Sequence, residues 1–271
     1  MYDRIFPPKK LVLPNGKVVL EKKSRTPMVM LLILFGIVLS IELTGFDLMQ
    51  LLKRWKEFFV IVDQMIPPKW SHFEQIWEPL MDTIKMSLLG SLLGALAAVP
   101  VAYFASSNIV KNKAINGTAR VLLSLLRTLP SLVSALIATF VFGLGTFAGT
   151  VAIFLFTLSY VGKLLYEQIE NVSMESFEAM ESLGLTKMQA FQQAIIPEVL
   201  PNYLSTALFC FEGNVRYAAI LGYVGAGGIG ILLNEGLGWR DYASVGMILF
   251  VLAITVFLIE TVSEYFRKKL I

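Results

Sequence analysis

Apolar residues in this chain come in long unbroken runs, and the polar residues are gathered between them. Six runs, at 28–46, 84–105, 121–142, 147–166, 200–222 and 243–265, approach the ~20 residues that a helix rising ~1.5 Å per residue needs to cross a hydrocarbon core. Being continuous rather than alternating, they predict membrane-spanning α-helices and not the strands of a β-barrel. The interval 173–201 carries a different pattern. Ser173 is placed to N-cap a short helix with Glu175 in its first turn, and Gly184 fits the left-handed position just past its end. Thr186 and Gln189 then make a capping box for a second short helix, which Pro197 discourages from continuing. The interval therefore predicts a polar helical hairpin with a glycine elbow, built in water between two spans.

Two further patterns flank the first run. The segment 11–20 places Asn15-Gly16 between apolar residues, which is either a small β-ribbon or a flexible basic tail. After the run, Leu48, Leu51, Leu52, Trp55, Phe58, Phe59 and Val62 recur at helical spacing around Lys53, Arg54 and Lys56. That spacing predicts an amphipathic helix lying at a membrane interface and ended by Pro67-Pro68.

Composition agrees with a membrane protein. Hydrophobic residues are 56% and charged residues 16% of the chain, against about 25% charged in soluble domains. Basic residues fix the expected orientation. Lys9, Lys10, Lys22, Lys23 and Arg25 ahead of the first run, Lys111, Lys113 and Arg120 between the second and third, Lys187 in the hairpin and Arg267-Lys268-Lys269 at the end all fall on one side if six spans are crossed. Both termini and the hairpin are then cytoplasmic. The first run lacks a small-residue cleavage site and reads as a retained span. The expected divisions are a cytoplasmic basic tail at 1–26, a first span at 27–46, an external interfacial segment at 47–79, and a transmembrane core at 80–271 whose cytoplasmic loop is 168–199. The net charge of +3 is distributed by topology, so nothing favours nucleic-acid binding. The single cysteine, Cys210, falls inside a span and says little about redox compartment.

Ionised side chains near a bilayer centre cost ~2.5–3.5 kcal/mol each on insertion scales, so those present face protein or water. Glu212, Asn214 and Arg216 interrupt the fifth run, with Glu212 and Arg216 on one helical face in the favourable acid-first order. Two readings stand: a self-neutralising structural pair, or a pathway for an anionic solute in which Glu212 and Asn214 hold the Arg216 guanidinium. Arg127 in the third run is placed to snorkel to the surface. The run 222–230 satisfies a dinucleotide fingerprint through Gly225, Gly227 and Gly230, but it lies between membrane helices rather than in a βαβ unit. A sharply turned or re-entrant segment near the path is expected there, with Gly225, Gly227 and Gly228 serving either an anion through bare amides or tight helix packing. Gly90, Gly94, Ala98 and Ala102 form a small-residue seam, and Pro100 and Pro130 predict kinks. The chain contains no GxxxxGK[ST], HExxH or GxSxG motif, and its one histidine, His72, stands beside Trp70 and Phe73 outside the spans.

Glu178-Ala179-Met180, Gly184 and Ile196-Pro197 are spaced as in the cytoplasmic signature of ABC-importer permeases, which reads Glu-Ala-Ala, three residues, Gly, nine residues, Ile, any residue, Leu-Pro. Met180, Ala194 and Ile196 depart from it conservatively. Further segments resemble the permease subunit of phosphonate ABC importers: 66–70, 127–132, 143–149, Gly162-Lys163-Leu164 with Glu167 and Glu170-Asn171, and Asn214-Val215-Arg216 running into 221–230. The resemblance covers roughly Trp55 to Lys269 in order and spacing, and leaves the amino-terminal hairpin outside. It implies a type I importer permease fold in a prokaryotic plasma membrane, two permease subunits forming a pore, two ABC ATPase subunits docked on the hairpins, and an extracytoplasmic substrate-binding protein. No cofactor and no catalysis in this chain are implied. Glu178, Ala179, Gly184 and Pro197 are the implied coupling residues, and phosphonate or a related phosphorus oxyanion is the implied solute. An ion-gradient-driven secondary transporter is the rival class, and it leaves the hairpin without a purpose.

Overall fold

The structure, a computed structural model, describes residues 9–12, 16–21 and 26–270. Its contacts divide the chain into two units, Met1–Val60 and Ile61–Ile271.

In the first unit, strands β1 (Lys9–Val12) and β2 (Val18–Glu21) pair antiparallel, from Lys9 opposite Glu21 to Val12 opposite Val18. The ribbon alternative is the one that forms. Gly16, at φ +78°, supplies the left-handed conformation that an Asn-Gly turn calls for, while Pro14 and Asn15 lie outside the described residues. Helix α1 (Thr26–Thr44) has 19 residues and closes on Gly45, where the Phe46 N–H donates to the Ile41 carbonyl at 3.1 Å. Asp47 opens α2 (Leu48–Gln64) as its cap, Oδ1 accepting from the N–H groups of Met49 and Gln50 at 2.8 and 3.1 Å. Trp55 and Phe58 each meet Phe59 edge-on at 5.4 Å, as the apolar face of an amphipathic helix requires.

The second unit is helical among its described residues. Helix α3 (Phe73–Ala105) runs 33 residues through Pro79 and Pro100. Asn112 caps α4 (Lys113–Thr128), which gives way at Leu129-Pro130 to α5 (Ser131–Phe142) with a bend of 93°. The third apolar run bends where the proline predicts, but far more sharply than a kink: it is two helices at a right angle. Pro130 lacks an N–H and pushes Leu129 to an extended conformation, φ −77° and ψ 120°, so the helix stops and restarts. After Gly143 and Gly145, both at positive φ, α6 (Thr146–Asn171) returns alongside α3.

The α3–α6 seam is the spine of this unit. A Cβ on Gly90 would stand 2.8 Å from Ile153 Cγ2 and 2.9 Å from the Thr150 carbonyl; one on Gly94 would stand 2.7 Å from Thr157 Cβ and 2.8 Å from the Phe154 carbonyl. Glycine lets the two backbones approach to that distance, which is how helices gain packing where lipid gives no hydrophobic advantage. Ala98 and Ala102 continue the seam, fully buried.

Helix α7 (Glu175–Ser182) starts with Met174 rather than Ser173 in the cap position, and the Ser173 hydroxyl accepts only from the Glu175 N–H at 3.4 Å. Gly184 is left-handed, φ +89°, and the N–H groups of Gly184 and Leu185 reach back to the carbonyls of Glu181 and Met180 at 2.9 and 3.2 Å, a Schellman closure. Thr186 and Gln189 form the expected capping box at the head of α8 (Lys187–Ala190). Pro197 does not end this helix. A π-helical turn, Phe191–Ile195, carries it into α9 (Ile196–Leu221), with the Ile196 N–H donating to the Phe191 carbonyl and Pro197 in the first turn. The wider turn removes the clash between a proline ring and the carbonyl four residues back, and the missing N–H is one that a helix start leaves unpaired anyway.

A one-turn 3₁₀ segment, Gly222–Val224, and the glycine run lead to α10 (Ile229–Gly238), and α11 (Tyr242–Leu270) completes the unit. Asp241 caps α11 through the Ser244 N–H and hydroxyl and pairs with Lys69 Nζ at 3.5 Å, tying the segment before α3 to the start of α11. Those hydrogen bonds to Ser244, followed by the Lys69 charge, hold the Asp241 carboxyl below its usual range.

Gly94→Val should lower both membrane accumulation and the thermal unfolding midpoint in detergent, since overpacking a filled contact costs ~1–3 kcal/mol. Gly117→Ala in α4, where nothing lies within 4 Å of the added carbon, should leave both unchanged or slightly raised.

Candidate functional site: a docked hairpin and an intramembrane charge network

The hairpin is plugged into the bundle by its apolar side. Phe177 of α7 and Ala190, Phe191 and Ile195 of the second arm are buried in one cluster with Ala102 and Ala105 of α3, Leu123 of α4, Leu165, Tyr166 and Ile169 of α6, and Val199 of α9. Phe191 also meets Tyr103 edge-on at 4.9 Å. A polar brace surrounds this plug. Glu170 accepts from the Ser107 N–H at 2.7 Å, from the Ser107 hydroxyl and from Arg120, whose Nε donates to the Ala105 carbonyl at 2.8 Å while its guanidinium lies over the Tyr166 ring. Asn108 Nδ2 donates to the Ile169 carbonyl at 2.8 Å. The hairpin entry and the ends of α3, α4 and α6 are thus fastened to one another.

The opposite side of the hairpin is bare. Glu178, Ala179, Gly184 and Pro197 are all exposed, and Leu183, 77% exposed, stands next to the elbow with Met188 half-exposed beyond it. Of the four residues expected to couple, three sit together at the α7 end of the hairpin; Pro197 lies apart, at the head of α9.

Inside the span, Glu212 is buried and receives two arginines: Arg216 Nη2 at 2.5 Å and Arg267 Nη2 at 3.4 Å. Arg216 reaches a second carboxylate, Glu260 of α11, at 3.2 Å, and both of these side chains are half-exposed. Two acids and two bases make a neutral network between α9 and α11, with Arg267 also over the Phe209 ring. Asn214 does not hold the Arg216 guanidinium. Its amide is buried and donates to Ser91 Oγ and Thr157 Oγ1, both at 2.8 Å, pinning α9 to the α3–α6 seam. Asn214 stands two residues from Glu212, about 200° around the helix, so the two side chains leave on opposite faces. Arg127, exposed in the last turn of α4, joins neither group.

The glycine run is packed solid. A Cβ on Gly225 would meet Leu144 Cδ2 at 2.3 Å, on Gly227 the Thr146 nitrogen at 2.7 Å, and on Gly228 Thr83 Oγ1 at 2.4 Å; all three have positive φ. Three of its backbone groups close on the protein: the Gly225 N–H on the Gly222 carbonyl, the Gly225 carbonyl on the Gly145 N–H at 2.9 Å, and the Ile229 N–H on Thr83 Oγ1 at 2.8 Å. This is the geometry of the packing alternative.

Glu260 and Arg267 are the participants that sequence reasoning passed over. An acid in the sixth apolar run, four residues ahead of Glu264, was the available signal for Glu260, whereas Arg267 was absorbed into a terminal basic cluster.

A family model described as "Binding-protein-dependent transport system inner membrane component" matches residues 90–271. The phosphite transport system permease protein PtxC of Stutzerimonas stutzeri is 34% identical over 238 residues, covering 87% of this chain and 86% of that protein. The phosphate-import permease protein PhnE of Mycolicibacterium smegmatis is 30% identical over 195 residues, 72% of this chain but 37% of that longer protein. Among solved structures, an inward-facing conformation of the MetNI methionine ABC transporter superposes with a TM-score of 0.67 over 75% of this chain and 99% of that one, at 20% identity, a likeness of fold.

The burial difference between the two acids predicts unequal consequences. Glu212→Gln leaves two guanidiniums beside a buried neutral group and should cost ~3–5 kcal/mol, seen as a large fall in the unfolding midpoint. Glu260→Gln, removing a half-exposed pair, should cost ~0–1 kcal/mol and leave the midpoint near wild type.

Proposed function

The chain belongs to the family of binding-protein-dependent transport system inner membrane components, and from that premise we propose that it forms half of the pore of an ATP-driven importer for phosphonate or a related small phosphorus oxyanion. Its partners on this reading are two ABC ATPase subunits, an extracytoplasmic substrate-binding protein, and a second permease subunit, identical or related. It is a multi-pass membrane protein, and the hairpin and both termini face the cytoplasm on this reading.

The observation that carries the proposal is the two-sidedness of the hairpin. Phe177 and Phe191 lock one side into the cluster shared by α3, α4, α6 and α9, while Glu178, Ala179, Leu183 and Gly184 are left bare on the other. A partner gripping the bare side moves four long helices as one body, because the plug and the Glu170–Arg120 brace leave no loose joint between them. Nucleotide-driven closure of the ATPases would press the hairpins together and rock the bundles between outward-open and inward-open states. Glu178 offers a carboxylate to the ATPase, and Ala179 and Gly184 allow its close approach. The phosphorus oxyanion is supported by the phosphite and phosphate named for the two relatives, and by Arg216, half-exposed at membrane depth where lipid is an unfavourable neighbour for a charge. Arg216 borders the path, with Glu212 fixing its guanidinium.

Gly184→Val tests the coupling role. No atom lies within 4 Å of the added carbon, so the change acts on the left-handed backbone alone, at ~1–2 kcal/mol of local strain. The variant should accumulate in the membrane normally, yet lose most uptake and weaken co-purification of the ATPase. Wild-type uptake with a normally bound ATPase removes the assignment.

A further inference from the structure

Arg216 has two carboxylate partners that differ in kind. Glu212 is buried, shares its other oxygen with Arg267, and belongs to the same helix. Glu260 comes from another helix, is half-exposed, and makes the longer contact with Arg216, 3.2 Å against 2.5 Å. One partner is a permanent anchor. The other meets the same Nη2 from a second, half-exposed helix position, so a ligand that takes this nitrogen competes with it.

Glu260 lies five residues, roughly 7.5 Å, inside the end of the apolar run at 243–265 and ahead of the terminal basic cluster. Two half-exposed charges at that depth face water or protein in the assembled transporter rather than hydrocarbon. A carboxylate and a monoanionic phosphorus oxyanion carry the same charge and present paired oxygens to the same guanidinium fork. Exchange of one for the other therefore keeps Arg216 paired: Glu212 and Arg267 stay together, Arg216 passes from Glu260 to the solute, and the released, half-exposed Glu260 carboxylate turns to water, so the network carries the solute's single negative charge while it is bound.

We propose that Glu260 is an internal stand-in for the transported anion, occupying the Arg216 guanidinium until a phosphorus oxyanion displaces it, and so setting the affinity and selectivity of an anion subsite inside the pore. This rests on the reading of Arg216 as a pathway residue. Competition of this kind lowers apparent affinity by the fraction of time the guanidinium is covered, so a site covered nine-tenths of the time gains about tenfold when the competitor is removed.

The test uses the permease–ATPase complex in lipid nanodiscs, without binding protein, titrated with methylphosphonate and followed by ³¹P line broadening. Glu260→Gln should bind methylphosphonate about tenfold more tightly than wild type, Glu260→Asp should fall between them, and Arg216→Gln should lose binding. An unfolding midpoint near wild type verifies that the Glu260 variants are folded. Glu260→Gln that binds no tighter than wild type, or does not bind at all, overturns the proposal. The underlying pathway reading fails separately if Arg216→Gln supports wild-type uptake in the complete transporter.

Discussion

Polar groups held where lipid offers no water must be satisfied by the protein itself, and in this chain that demand governs the whole second unit. The α3–α6 seam answers it with glycine: backbones that approach across Gly90 and Gly94 leave no gap for lipid between them. Asn214 then uses that seam, donating to Ser91 on α3 and Thr157 on α6, so one buried amide sets the rotation of α9 against two helices. With α9 fixed in rotation, Glu212 and Arg216 are turned toward α11, where Arg267 and Glu260 complete a neutral set. The glycine run after α9 follows the same rule at Gly225, Ala226 and Ile229, whose N–H groups close on the preceding turn and on Thr83.

Rigidity at one end and a yielding contact in the middle give the account its mechanics. The hairpin is not a flexible handle. It is continuous with α9 through the π-helical turn and fastened to α3, α4 and α6 by the Phe177–Phe191 plug and the Glu170 brace. A push on its bare face is delivered to α9, the helix that carries both Asn214 and Arg216. Along that path the contact between Arg216 and Glu260 is the more exposed of the two pairings between α9 and α11, and therefore the one that relative movement of these helices breaks at least cost.

Local rules made the hairpin legible in advance. Gly184 and the Thr186–Gln189 box each depend on residues within a few positions of one another, so the elbow and second helix start follow from spacing alone. Pro197 was misleading for the same reason: a proline forbids a regular continuation but permits a π-helical one, and only the packing of Phe191 and Ile195 into the cluster selects it. The third run reads as one span because apolar length cannot report direction, although Pro130 marks where the 93° bend falls. Arg216 and Glu212 were visible as an i, i+4 pair, but the partners that distinguish an anchor from a competitor come from α11, 44 and 55 residues away, and no periodicity links them. Asn214 shows the limit most plainly: its neighbours in sequence suggested a charge-holding role, and its position on the opposite face of α9 gives it a structural one.

Everything turns on the bare side of the hairpin meeting an energy-supplying partner in the cytoplasm. Leu183→Cys places a thiol at a position 77% exposed beside the elbow, while the native Cys210 is buried and unreactive by comparison. With a membrane-impermeant maleimide, this thiol should label in inside-out vesicles but not in intact cells, and should be protected when the ATPase subunits are bound. Labelling from outside intact cells, or labelling unaffected by the ATPase, contradicts cytoplasmic docking of the hairpin.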